Sequence, residues 1–142
     1  MSWAEGDLAS CFEGVAIKKL SAVEADIKTS HQHEFNATRK ILEIFGKPEE
    51  SLRIDTQFFY LGDDLQIESP GTLTLYDARA KARKERGVMR SEYRLYFADN
   101  DVTIKMKEDD CLLLAKKTDG QAAVVILQNG STISSQMLWL FG

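Results

Sequence analysis

The sequence predicts a mainly β protein: a small, open, largely antiparallel barrel of seven or eight strands with two or three short helices. Three observations lead there. Short segments rich in β-forming residues recur every 8–15 residues. Turn-forming Gly, Asn and Asp separate them. Helical periodicity is confined to short pieces, so the chain does not alternate strand and helix as a parallel βαβ sheet would.

Trp3, Leu8 and Phe12 have near-helical spacing, which predicts a short helix in residues 2–12. In GVAIKKLSA, Val15 and Ile17 alternate with Ala16 and Lys18, which reads as a strand. Residues 21–30 read as a polar loop. Residues 31–36 read as a second strand or an extended arm, with Phe35 its one large apolar group. Thr38 is placed to cap a helix over Arg39–Phe45, where Ile41, Leu42 and Phe45 share a face. Gly46 and Pro48 stop it. Leu52–Leu61 alternates Leu52, Ile54 and Thr56 against Arg53, Asp55 and Gln57, a strand with one wet face. Gly62-Asp63-Asp64 turns the chain, residues 65–67 form a short strand, and Ser69-Pro70-Gly71 reads as another turn. TLTLY (72–76) and YRLYF (93–97) are strands on either side of a basic segment. Residues 102–107 alternate Val102, Ile104 and Met106 with polar residues and read as a strand. CLLLAKK (111–117) and Ala122–Leu127 are the last two strands, joined through Thr118-Asp119-Gly120. After Asn129-Gly130 an apolar tail docks as a short helix or strand.

At 142 residues the chain makes one domain, alone or within a longer protein, and its apolar tail ending at Gly142 suggests a domain boundary. With 44% hydrophobic residues and only two prolines it belongs with folded globular chains rather than disordered ones. No apolar run approaches the roughly 18 residues of a membrane span. Acids rather than bases stand at the start, so no export signal is expected, and the expected location is a prokaryotic cytoplasm. Cys11 and Cys111 have no metal-site spacing and read as reduced thiols. CxxC, HExxH, GxxxxGK[ST] and GxSxG motifs are absent.

The charge distribution is the informative feature. Residues 79–94, RAKARKERGVMRSEYR, hold Arg79, Lys81, Arg83, Lys84, Arg86, Arg90 and Arg94 against Glu85 and Glu92, a local net charge of about +5 in a chain of net −4. Such a concentration is either a solvated surface helix or a site for an anionic partner: nucleic acid, a membrane surface or an acidic protein. If TLTLY and YRLYF pair, the segment becomes an arm standing off the barrel. A cationic arm fits the DNA major groove, where Arg bonds guanine bidentately and Lys meets phosphate as a point charge. Glu85 or Glu92 would accept from a cytosine amino group, or would orient an Arg. A second polar region adds donors and acceptors: Lys18, Lys19 and Lys28 frame Thr29, Ser30, His31, Gln32, His33 and Asn36. His31 and His33 share a strand face, but no third ligand is identifiable and no metal site is expected.

The run IKKLSA followed by a loop and His31-Gln32 resembles the amino-terminal domain of EcoRII-like type II restriction endonucleases. LYDAR with its Arg/Lys-rich continuation resembles that domain's second arm, and the carboxyl-terminal LWLFG is similar to related restriction-enzyme domains. The resemblance implies a DNA-binding pseudobarrel, shared with auxin-response-type transcription factors. Two arms would grip the major groove of double-stranded DNA like a wrench, with a CCWGG-like target. It also implies a recognition and effector module, with cutting and its Mg2+ left to a separate nuclease domain. His31 falls on the family's histidine contact. Asn36 stands where EcoRII has an aromatic residue, and the second arm is longer here. Arg83, Arg86, Arg90 and Glu92 are the expected base readers, with Lys81 and Lys84 on phosphates.

Two other functions are open to such a chain. A metal-dependent nuclease would need an acid in Glu/Asp-x-Lys. Asp109-Asp110 precede Leu114-Ala115-Lys116, where Leu114 occupies the acid's place, so no catalytic residue is assigned. A basic-arm module binding RNA or acidic protein would lose binding on charge reversal without preferring any DNA sequence.

Overall fold

A computed structural model describes residues 12–87 and 90–142. Seven strands form one curled, open half-barrel sheet in the order β1-β6-β7-β3-β4-β5-β2. They are β1 Phe12–Lys19, β2 Glu34–Asn36, β3 Leu52–Leu61, β4 Gln66–Asp77, β5 Tyr93–Phe97, β6 Cys111–Lys117 and β7 Ala122–Leu127. All neighbours run antiparallel except β3 and β7, which are parallel. The sheet is therefore largely antiparallel, as expected, with one parallel pair that makes it mixed. The parallel pair arises because β7 reaches β3 as the second strand of the β6–β7 hairpin, a long-range closure that no local pattern encodes.

Five short α-helices accompany the sheet among the described residues, more than the two or three expected. They are α1 Ala22–Ala25, α2 Ile27–Ser30, α3 Arg39–Phe45, α4 Ala80–Arg86 and α5 Thr132–Phe141. The first two occupy what read as a polar loop. Ser21 and Glu24 form a reciprocal capping box, and the Asp26 side chain accepts from the Thr29 amide to start the next turn. The signal, S-x-x-E, was present in SAVE. α3 is capped by Thr38 at its start and by Gly46 at its end, as the sequence predicted. The expected helix over residues 2–12 lies outside the described residues except for Phe12, which opens β1. None of the described helices is long and apolar enough to cross a membrane.

Two strand assignments change. Residues 102–107 are not a strand: a 3-10 turn spans Thr103–Lys105. Asn100 decides this, because its side-chain oxygen accepts from the amides of both Val102 and Thr103. Ser69-Pro70-Gly71 is not a turn but the middle of β4. Pro70 is tolerated because β5 pairs with β4 only from Leu73 onward, leaving that side of the strand open. Gly71 is required because a Cβ there would come within 2.7 Å of the Phe58 ring. Gly71→Ala is accordingly expected to cost about 1–3 kcal/mol, the usual scale of overpacking a core. Urea denaturation would show it as a lower midpoint, and an unchanged midpoint would mean that Phe58 yields freely.

The core lies on the inner face of the curled sheet. Phe35, Phe58, Phe97, Leu73, Leu75, Leu95 and Val124 are fully buried there. Phe35 and Phe97 pack ring to ring at 4.5 Å, so the three-residue β2 is held by an aromatic anchor as well as by its ladder with β5.

Candidate nucleic-acid interface

β4 and β5 pair from Leu73↔Phe97 to Asp77↔Tyr93, so the basic segment is the connection at the end of this hairpin. Its first half is α4, and its second half returns through Arg90 to β5. Arg79 lies just before α4. Val88 and Met89 lie outside the described residues.

The root of the arm is held by acids. Asp77 is buried, and one of its carboxylate oxygens accepts from the Arg79 amide at 3.0 Å and the Glu92 amide at 2.9 Å. One side chain thus ties the outgoing and returning ends together, and the Ala78 amide adds a bond to the Glu92 carbonyl at 2.7 Å. Arg83 reaches back from α4 to the other Asp77 oxygen. Burial pushes the Asp77 pKa upward, but the two amides and Arg83 outweigh it and hold the carboxyl below its ordinary value. Glu92 pairs with Arg79 at 2.9 Å and with Arg94 at 3.2 Å, and the two guanidinium groups lower its pKa. Arg94 also pairs with Glu34 at 3.1 Å, and Tyr76 donates to the same carboxylate. Glu34, first among its partners, raises the Arg94 pKa.

These pairs divide the basic residues into two groups. Arg79, Arg83 and Arg94 build the root of the arm. Lys81, Lys84, Arg86 and Arg90 are exposed and have no acidic partner among the described residues. Of the expected base readers, Arg86 and Arg90 are therefore presented to solvent, whereas Arg83 and Glu92 are engaged within the arm. For Glu92, the orienting role is the one the geometry displays.

The other polar region divides as well. Lys18 is turned inward: its Nζ lies 2.6 Å from Glu24 Oε2 and 3.4 Å from the Asn36 carbonyl. Glu24 is only 2% exposed. Burial raises its pKa, but Lys18 and the Ser21 and Asn36 amides overcome this and leave it below the ordinary carboxylate value. Lys18 thus fixes the loop to the barrel. Lys19, Lys28, His31, Gln32 and Asn36 are exposed, and Ser30 is half-buried with its hydroxyl accepting from the Gln32 amide. His31 ends α2 in the left-handed conformation, φ 57°. His33 faces Asp99 at 3.0 Å and the edge of Phe97. Among the described residues, no group of three or more His, Cys, Asp or Glu side chains is placed to hold a metal.

Strand register sets the two regions relative to one another. β2 and β5 pair as Glu34↔Tyr96, Phe35↔Leu95 and Asn36↔Arg94. The ladder continues at both ends, where the Phe97 amide bonds the His33 carbonyl and the Ala37 amide bonds the Tyr93 carbonyl. The His31–Gln32–His33 segment therefore leaves β5 at one end and the basic arm at the other, roughly 13 Å apart at about 3.4 Å per residue. Asn36 sits at the arm end, beside Arg94. No family model, curated protein or solved structure matches the chain.

Proposed function

We propose that this chain is a sequence-specific module for double-stranded DNA, reading the major groove with two arms and non-catalytic by itself. We further propose that it serves as the recognition domain of an EcoRII-like type II restriction endonuclease whose separate nuclease domain carries Mg2+ and cuts. One observation carries the DNA reading: Lys81, Lys84, Arg86 and Arg90 are presented without acidic partners on an arm whose root is locked by Asp77 and Glu92. A flexible polybasic tail suffices for phosphate attraction alone. A cationic helix held in one orientation is what base readout needs. The spacing between the roots of the two arms, roughly 13 Å, is close to the major-groove width of about 12 Å. The deep, narrow major groove of A-form RNA would not admit such an arm.

The test is binding of short labelled duplexes from a random-sequence pool, selected and then measured against scrambled ones as salt is raised. Readout predicts that the preference survives when phosphate attraction has faded. Equal binding of every duplex at every salt concentration would favour a non-specific basic arm instead. Within the readout, Arg90→Ala is expected to weaken selected-duplex binding by about 1–3 kcal/mol and blur the preference at one base pair. If Arg86→Ala and Arg90→Ala both bind the selected duplex as the parent does, the arm does not read bases.

A further inference from the structure

The outer face of the sheet between the two arms presents a row of hydrogen-bond donors that the fold itself does not use. Strand register aligns Arg53 on β3 with Thr74 on β4, Thr74 with Tyr96 on β5, and Tyr96 with Glu34 on β2. In the next row Asn36 lies opposite Arg94. Ile54, Leu73, Leu75, Leu95, Phe97 and Phe35 point into the core from the same strands, so alternation puts Arg53, Thr74, Tyr96 and Asn36 on the outside. Tyr96, between buried Leu95 and Phe97, is 48% exposed. Among the described residues, none of these four side chains has a hydrogen-bond or ion-pair partner. The acid within this patch is already neutralised, because Glu34 is held by Arg94 and Tyr76. The face thus offers a guanidinium, two hydroxyls and an amide at about 4.8 Å strand spacing.

We infer that this outer face of β3, β4, β5 and β2 supports the sugar–phosphate backbone of the duplex that the arms hold. The inference rests on the DNA reading above and adds the surface on which the duplex lies. A guanidinium with Tyr, Thr and Asn groups is the set that typically contacts phosphate and sugar rather than base edges. The position agrees: this face lies between the roots of the two arms, which sit at opposite ends of β5. Arg53 supplies the charge at the β3 side, and Tyr96 supplies the central hydroxyl. Exposed Asp55, one row further on β3 opposite Thr72, marks where the face stops favouring an anion.

Backbone support has a signature distinct from base readout. Arg53→Ala should weaken binding of a labelled random-sequence duplex and of a selected duplex by the same factor, about threefold to tenfold, and lower the salt slope by about one. Arg53→Lys should restore the slope. Tyr96→Phe, which removes only the hydroxyl, should weaken both duplexes about twofold to fivefold without changing the slope, on the scale of one lost hydrogen bond. Both sites are solvent-facing, so thermal unfolding should match the parent. If the parent binds duplex and both Arg53→Ala and Tyr96→Phe keep its affinity and salt slope, this inference alone is overturned. A parent that binds no duplex would overturn it together with the DNA reading.

Discussion

Asp77→Ala is expected to lower the unfolding free energy by about 3 kcal/mol and to weaken duplex binding in the same variant. The Arg79 and Glu92 amides share one buried Asp77 oxygen, and its removal leaves two donors at the root of the arm without an acceptor. Each such loss costs about 1–3 kcal/mol in a buried setting. Arg83 adds little to the stability loss, because its side chain is 36% exposed and can turn to water. It matters to function because, among the described residues, Arg83 makes the ion pair that ties α4 to the sheet. Asp77→Asn keeps an oxygen for the amides but loses the charge facing Arg83, so a smaller stability loss is expected, with much of the binding defect retained. Urea unfolding and duplex titration of both variants separate the two effects. Parental stability in Asp77→Ala would show that the arm is not held by this carboxylate.

The architecture was legible where the determinants are local. Thr38 and Gly46 bounded α3, and the β-forming runs of β3, β5, β6 and β7 were read at their observed limits. The pairing of TLTLY with YRLYF, and with it the arm, followed from two strong strands around one basic segment. Local signals also explain some of the failures. SAVE is a capping box within a polar region, and Asn100 turns an alternating run into a 3-10 turn through its own side chain. The Ser-Pro-Gly run resembled a turn, yet Pro70 rests on the open side of β4 and Gly71 makes room for Phe58. Non-local features could not be read at all. Nothing around Ala122–Leu127 says that its partner is parallel, and nothing in the basic segment says which of its cations meet Asp77, Glu92 or Glu34. That sorting depends on pairing between residues up to 60 positions apart, as Arg94 with Glu34 illustrates. Only the register places Arg53 and Tyr96 on one face.

Glu24→Gln should separate the first arm from the second, and its effect should depend on pH in a definite direction. Near neutral pH the substitution is expected to cost about 3 kcal/mol, because it strands the Lys18 ammonium beside a buried neutral amide. Lys18 is 18% exposed, so solvent relieves only part of that loss. The native carboxyl lies below its ordinary pKa despite burial, so the folded state binds its proton less readily than the unfolded chain. Its contribution is therefore fully present above the unfolded carboxylate value of about 4.3 and disappears as pH falls through the lower, folded value. The stability difference between parent and Glu24→Gln should be constant from neutral pH down to about pH 5 and then shrink toward zero. A difference that began to shrink well above pH 5 would mean that burial wins and the native group is protonated. The functional consequence follows from the same contacts. Glu24 joins the Ser21 turn to the Asn36 amide, and Lys18 reaches the Asn36 carbonyl. Loosening them frees the loop that carries His31 and Gln32 while leaving the arm beyond Asp77 intact. Duplex binding should then lose the first arm's share, whereas Asp77→Ala removes the second arm's.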